Sequence, residues 1–578
     1  MKTYIKYILA AVLTLPMLSS CLDEETPTNG LTKDQLNTTS GTIAELSNAV
    51  AKQMISMGTS YNACGFAGQM IELDAMTGQI PVYSTGYDYF MYFSEGNYLG
   101  PTYAYSYDTW RLYYNIIDRA NRVMKADSTA ASPSDENALY VGSAYGYRAM
   151  AYFILAQLYE FVNTGYTQLD ADATTAGVKG LTVPIVTQYT TQAQSYNNPR
   201  VPYYTLYRFI LTDLNKAETL LNGVSRDNIN QMNESVVYGL KARFWLTLGS
   251  RFEEAPDDLT EVVSHESDAS LAKYDQLGVT SAKECFQLAS KYAQLAESGY
   301  TPMTRSQWYD GFNKTNDAWM FAVKISADDM TGDSYWSWDN FISFMSSETQ
   351  FGIGGPVYKA YREIDAGLYT YIDDADWRKK TWVSPDDAGD ISKKRNYTTI
   401  LADSDFAKVP AYAGLKFKPG DNNQSDYTVG AAVAIPLMRV EEMHFIDAEA
   451  TAHVDGVAAG ETKLNAFMNT YRCTATADDP TPYNCSESTL EDFTRELIRQ
   501  KRIEFWGEGL TYFDYKRLRM DFTLKYDGSN HPDNYQYNFD DGYVAPAMNF
   551  CITRGGEAQY NTAIINNPDP SGYEAAGK

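Results

Sequence analysis

Leu206-Tyr207-Arg208-Phe209-Ile210-Leu211-Thr212-Asp213-Leu214-Asn215-Lys216-Ala217-Glu218-Thr219-Leu220-Leu221 carries apolar residues at 206, 210, 214, 217 and 221, steps of four, four, three and four. That spacing lays one apolar stripe along an α-helix. A second stripe follows at Val237, Leu240, Phe244 and Leu248, stepping by three, four and four, as expected of a packing partner. A third is predicted over Ala282–Glu297, where Phe286, Ala289, Ala293 and Ala296 share a face. Toward the N-terminus, Trp110, Tyr114, Ile117 and Val123 mark a helix over about 104–125, and Val141, Tyr145, Tyr152, Ala156 and Tyr159 mark another over 135–161. The small residues Ala144, Ala149 and Ala151 let these two approach closely. Ile43, Leu46 and Val50 predict a first short helix within 40–57.

Each such pair has an apolar face that only a neighbouring pair covers, which is how tetratricopeptide-like arrays pack. The full signature of that repeat is not recoverable, so the array rests on pairing and spacing. The predicted fold class is mostly α: a tetratricopeptide-like helical-pair scaffold over about 41–60, 101–298 and 436–520, within one domain spanning 41–578, with little β structure. Residues 61–100 and 299–435 lose the helical period and become rich in Gly, Asp, Ser and aromatic side chains. Loops this long inside a compact protein are usually functional. Helices are expected to resume at Pro436, over Arg439–His453 and Lys463–Tyr471, and a Ser488/Glu491 capping box opens the next, which runs to about Trp506. Gly507 and Gly509 break it before a last piece, Tyr512–Arg519, and an irregular tail.

At the other end, Lys2 and Lys6 precede an apolar run from Tyr7 to Leu18, the layout of a secretory signal peptide over 1–20. The run is too short for the roughly 20 residues a spanning helix needs. Leu18-Ser19-Ser20-Cys21 resembles the bacterial lipobox, which makes Cys21 the lipidated N-terminus and 21–40 a tether. Several acyl chains on Cys21 hold a protein on a membrane, since each buried CH2 contributes about 0.8 kcal/mol. Asp23-Glu24-Glu25 resembles a surface-export tag.

Composition narrows the partners. With 44% hydrophobic and 21% charged residues the chain is globular rather than disordered. Removing 1–20 takes two lysines from the 47 basic residues and none of the 73 acids, so the mature formal charge is 45 − 73 = −28. Such a surface repels phosphates and argues against nucleic acid. Apart from Cys21, five cysteines remain without CxxC spacing, which supports neither a disulfide scaffold nor a zinc site. Cys473 and Cys485 flank a short loop, leaving two readings: a disulfide in an oxidising compartment, or buried free thiols.

No GxSxG, HExxH or Walker A pattern is present, and His444 and His453 are nine apart, off any helical ligand spacing. Asp421, Asn423 and Ser425 alternate as in a calcium loop but lack its glycine and distal Glu. The pair Asp373-Asp374 has the residue type a glycosidase uses, but among 73 acids solvated loop charge explains it better. No catalytic residue, cofactor or metal is therefore assigned. The excess lies in aromatics: 47 Tyr and 9 Trp against 4 His, many in the polar, Gly-rich stretches. A tyrosine offers an apolar face with a polar tip, which suits a binding surface. The candidate ligand-binding rings are Tyr83, Tyr87, Tyr92, Tyr98, Tyr335, Trp336 and Trp338, with Asp88, Asn97 and Asp339 as orienting groups. Trp336 and Trp338, two apart, point to one side of an extended backbone.

Four stretches carry a family resemblance. Arg439-Val440-Glu441-Glu442-Met443-His444-Phe445-Ile446-Asp447-Ala448-Glu449-Ala450 resembles the R-x-x-E-x-x-L-x-x-A-E-A helix of SusD-like (SusD/RagB) outer-membrane lipoproteins. Arg499-Gln500-Lys501-Arg502-Ile503-Glu504-Phe505-Trp506-Gly507-Glu508-Gly509 with Phe513-Asp514 is similar to that family's E-R-x-x-E-F-x-x-E-G-x-R-x-x-D segment. Arg148-Ala149-Met150-Ala151-Tyr152-Phe153 with Gln157-Leu158-Tyr159, and Asn566-Asn567-Pro568, resemble two more of its motifs. Phe445, Gln500, Lys501, Thr511 and Glu160 depart from the family pattern at positions that are structural there. Arg502, Glu504 and Glu508 are expected to fix helix packing rather than do chemistry.

The resemblance implies a non-enzymatic, surface-exposed lipoprotein of the outer membrane. Such a protein captures an oligosaccharide on exposed aromatic rings, or in some members a peptide, and passes it to a TonB-dependent, SusC-like barrel for nutrient uptake. Two rival classes predict something else: a surface glycoside hydrolase, which turns its glycan over, and a structural or adhesion lipoprotein, which binds no soluble ligand.

Overall fold

The computed structural model describes residues 40–83, 85, 88–129, 135–330 and 338–573. The Leu18–Cys21 junction, the acidic run after it and most of the tether lie outside these residues.

The scaffold is helical, as its apolar stripes require. Helices α1 (Ser40–Gln53), α2 (Gly65–Met76), α3 (Met91–Glu95), α4 (Ala104–Thr129), α5 (Ala138–Tyr159) and α6 (Thr167–Ala176) come first. Then follow α7 (Tyr203–Leu221), α8 (Glu234–Glu254), α9 (Pro256–His265) and α10 (Ala282–Glu297), with shorter turns between them. Leu206, Ile210, Leu214, Ala217 and Leu221 of α7 are all buried, as are Val237, Leu240, Phe244 and Leu248 of α8 and the Phe286–Ala296 face of α10. Neighbours pack in a run: α1 on α4, α4 on α5, α5 on α7, α8 on α10. The ends are capped by side chains, with Asn233 Oδ1 accepting from Val236 N at 3.0 Å and Ser281 Oγ from Glu284 N at 3.2 Å. Gly249 sets the α8/α10 crossing, because a Cβ there would lie 2.8 Å from the Phe286 ring.

The array continues through α11 (Val440–Asp455), which packs on α10, then α12 (Val457–Tyr471), α13 (Leu490–Glu504) and α14 (Thr511–Leu518). Three details differ from the sequence expectation, and the open reading of Cys473 and Cys485 is decided. Helix does not resume at Pro436: residues 434–439 form strand β2, paired antiparallel to β1 (Trp319–Lys324) with Ala322 opposite Pro436, and Arg439 becomes the N-cap of α11. The strand is buried throughout and so lacks the alternation that would betray it. The cap of α13 is Thr489, whose Oγ1 accepts from Asp492 N at 3.0 Å, so the overlapping Thr489/Asp492 pair displaces Ser488/Glu491. Residues 65–76 are helical although no period marks them, because α2 is buried on nearly every side. Cys473 and Cys485, like Cys64, Cys285 and Cys551, are buried free thiols, and burial raises the first two to about 12.

A buried ionic hub joins α11, α12 and α13 to the loops. Glu504 accepts from Arg378 Nη1 at 2.9 Å, Arg439 Nη1 at 3.0 Å and Arg472 Nε at 2.7 Å, and none of the four is exposed. Glu508 pairs with Arg439 and with Lys416 Nζ at 2.7 Å. Burial pulls the Glu504 carboxyl upward, but Arg472, Arg439 and Arg378 outweigh it and hold it well below the usual range. Glu504 and Glu508 thus lock packing, as expected, while Arg502 Nε donates to Gln79 Oε1 at 2.8 Å. Gly507 and Gly509 adopt left-handed φ of +81° and +70°, and Gly507 N donates to Asp74 Oδ2 at 2.7 Å, which ties α2 to the end of α13. One hydrophobic core runs from Ile43 to Ile552.

Among the described residues no helix is long and apolar enough to cross a membrane.

Candidate functional site

The loop-rich stretches are built on this frame by inward anchors. Phe90 and Phe93 are buried, and Phe90 meets Phe344 edge-on at 5.0 Å. Beside them Arg362 Nη2 donates to Asp88 Oδ1 at 3.0 Å, with both side chains 1% exposed. These contacts lay the 88–105 segment against the 338–362 segment. After α3, Gly96 turns in the left-handed region and Tyr98 follows with φ +57°, a conformation that costs a non-glycine residue about 1 kcal/mol or more. The strained turn is held from several sides. Tyr98 N donates to Asn97 Oδ1 at 2.9 Å, Leu99 N to Ser571 Oγ at 2.9 Å and Gly572 N to the Gly96 carbonyl at 2.9 Å.

What the turn presents is a continuous cluster of tyrosines. Tyr92 contacts Tyr98 at 5.0 Å, Tyr105 at 5.4 Å and Tyr89 at 5.9 Å; Tyr98 meets Tyr103 at 5.2 Å and Tyr89 meets Tyr61 at 5.1 Å. Tyr61 is 38% exposed and Tyr98 and Tyr103 are 40% exposed, so the cluster has a wet face over a packed base. Burial first, then neighbouring phenols and acids, raises Tyr92 and Tyr105 above the ordinary value, which keeps both hydroxyls protonated and able to donate. A second exposed pair stands on the adjoining segment, where Trp338 and Tyr358 meet at 4.6 Å with rings inclined by 60°.

The sequence candidates divide accordingly. Tyr92, Tyr98 and Asn97 belong to the tyrosine cluster and its turn, and Trp338 to the second pair. Tyr83 is exposed on its ring, but its hydroxyl lies 2.6 Å from the Asn530 carbonyl and 3.2 Å from Glu363 Oε2, a partner that burial pushes up to about 7. Asp88 and Asp339 are corrections: both are buried, Asp88 committed to Arg362, so they serve the frame and do not orient a ligand at the surface. Tyr87, Tyr335 and Trp336 lie outside the described residues, so the paired-tryptophan platform is represented by Trp338 alone. Sequence reasoning missed Tyr61, Tyr89, Tyr103, Tyr105 and Tyr358. The alternation Tyr103-Ala104-Tyr105 beside a Gly-rich run was a usable signal; nothing local marked Tyr358.

These rings offer apolar faces and phenol hydroxyls able to donate hydrogen bonds. Among the described residues no cluster of three His, Cys, Asp or Glu is placed to hold a metal.

Two family models match the chain, one described as starch-binding associating with outer membrane, over residues 28–246, and the SusD family model, over residues 293–554. The chain belongs to the SusD-like (SusD/RagB) family. Solved SusD-like structures share its fold. A SusD-like carbohydrate binding protein from Bacteroides vulgatus superposes with a TM-score of 0.64 at 19% identity, covering 93% of this chain and 98% of that one. A SusD-like protein from Bacteroides fragilis gives 0.61 at 14% identity over 94% and 99%, and a laminarin binding SusD-like protein gives 0.60 at 16% identity over 93% and 100%. At these identities the likeness is one of fold. No curated protein sequence matches the chain. The family motifs quoted above map onto the ionic hub, through Arg439, Glu504 and Glu508, and onto α5, where Arg148 pairs with Asp213 at 2.7 Å.

Proposed function

We propose that this SusD-like protein binds an oligosaccharide on the aromatic face and delivers it, without turnover, to a TonB-dependent, SusC-like barrel. In this reading lipid on Cys21 anchors it at the outer surface of the outer membrane. The observation that carries the reading is the tyrosine cluster from Tyr61 to Tyr105, exposed on one side and fixed on the other, beside the Trp338–Tyr358 pair. Aromatic faces bury the apolar CH faces of sugars, and phenol hydroxyls answer the ring hydroxyls. The family match and the carbohydrate- and laminarin-binding neighbours support the ligand class.

Affinity electrophoresis of the full mature chain through gels containing laminarin, starch or mannan tests this reading, followed by an assay for new reducing ends. Retardation in at least one gel with no new ends is the expected result. New ends would favour a glycoside hydrolase; no retardation, with no hit on a wider glycan array, would overturn the glycan assignment.

A further inference from the structure

A cavity of about 420 Å3 opens between the ends of α5, α7, α8 and α14, away from the aromatic face. That volume lies within the range of about 300–1,000 Å3 in which small-molecule sites fall. Gln157, Asn163, Thr247 and the ring of Tyr207 contribute to its walls.

Most of its charged wall residues are answered. Arg251 Nη1 lies 2.8 Å from Glu160 Oε1 and its Nε 2.7 Å from Asp258 Oδ2; Arg519 meets Glu254 at 2.9 Å; Arg517 pairs with Glu449 and Asp514. Lys179, also on the wall, is exposed and without an ion pair among the described residues, and Glu261 accepts from the Tyr203 hydroxyl at 2.8 Å. Lys516 is the buried exception. It is 6% exposed and donates only to the backbone carbonyls of Leu158 at 3.1 Å and Met548 at 2.6 Å, with no carboxylate within 4.0 Å among the described residues. An ammonium has three donors, so one is unspent. The Leu158 carbonyl belongs to the last turn of α5, and the negative end of that helix compensates part of the charge. Burying an ammonium without a full counter-charge is costly, and a bound anion supplies what the fold leaves out.

We propose that this cavity binds a monosaccharide-sized molecule carrying one carboxylate, with Lys516 as its counter-ion. One unanswered buried cation calls for a monoanion, not a phosphate dianion, and the neutral amide and hydroxyl groups around it suit a hydroxylated ring. The site is separate from the aromatic face and does not depend on the reading given for it. Burial pushes Lys516 down to about 7, with Glu160 acting upward and Arg200 downward, while Arg251 and Arg517 are held by their own acids. A bound carboxylate favours the charged lysine, so binding draws in a proton near pH 7 and weakens as pH rises above it.

Calorimetric titration of the full mature chain with D-glucuronate, beside methyl β-D-glucoside and inorganic phosphate, tests the proposal. The expected result is saturable glucuronate binding with proton uptake at pH 7, seen as a heat that changes with the ionisation enthalpy of the buffer, and neither of the other two competing. Lys516→Met is expected to weaken glucuronate binding at least tenfold. Should that variant not fold, Asn163→Trp, at an exposed wall position, is expected to close the cavity and give the same loss with unchanged circular dichroism. Absence of glucuronate binding, equal affinity in the folded variants, binding without proton uptake, or competition by the neutral glucoside or by phosphate would each overturn it.

Discussion

Arg362 closes on Asp88 across 274 residues of chain, and neither side chain reaches solvent. The pair fastens the segment bearing the tyrosine cluster to the segment bearing Trp338 and Tyr358. Arg362→Ala strands a buried carboxylate and should cost about 3–5 kcal/mol of stability, whereas Arg362→Met combined with Asp88→Leu should recover most of it. Urea denaturation of the three chains measures this; a double variant no better than the single one would refute the pairing argument.

On the aromatic face, Tyr98→Ala and Trp338→Ala should each weaken the retained polysaccharide by about 1–2 kcal/mol, roughly fivefold to thirtyfold in Kd, with little change in Tm because both rings are about two-fifths exposed. Titration of each variant with the same polysaccharide reads the effect. Wild-type affinity in both would move the ligand elsewhere.

Glu72 gives a pH dependence whose sign is fixed. Burial raises its carboxyl from an ordinary value to about 8, and its oxygens accept from Asn62 Nδ2 at 2.6 Å and Gln69 Nε2 at 2.7 Å. Between about pH 4.3 and 8 the folded chain keeps a proton that the unfolded chain releases, so the contribution is complete at low pH and lost as pH rises. Glu72→Gln should remove a loss on the order of 2–4 kcal/mol between pH 5 and 8. Denaturation at the two pH values compares the slopes, and parallel slopes would refute the assignment.

At the α8/α10 crossing, Gly249→Ala drives a methyl group into the Phe286 ring. Overpacking costs about 1–3 kcal/mol, against roughly 1 kcal/mol gained in helix propensity. A net loss of up to about 2 kcal/mol in thermal unfolding is expected, and a more stable variant would show that the crossing is looser than described.

Cys21→Ala should release the protein from the membrane fraction and abolish incorporation of labelled palmitate. Undiminished labelling would place the lipid elsewhere.

The scaffold was legible wherever a helix has one wet side. Leu206 to Leu221 alternates because Lys216 and Glu218 face outward, and Ala282–Glu297 reads to the residue. Legibility fails where burial is complete: α2 carries Glu72 and Asp74 inside the protein, so its polar residues blur the pattern that should expose it, and β2 reads as an extension of the helix it precedes. The site was legible as aromatic density around Tyr92 and Tyr98. It was not legible as contact, because Asp88 looks like any loop carboxylate until Arg362 arrives, and Tyr358 gains its partner Trp338 only by folding.

Ser571 and Gly572 grip the turn that carries Tyr98, and Ser571 joins the chain 472 residues after Leu99, its partner. The turn that presents Tyr98 therefore takes its final shape only after residue 571 has been made and has folded back onto it. Copies arrested before residue 571 lack this clasp.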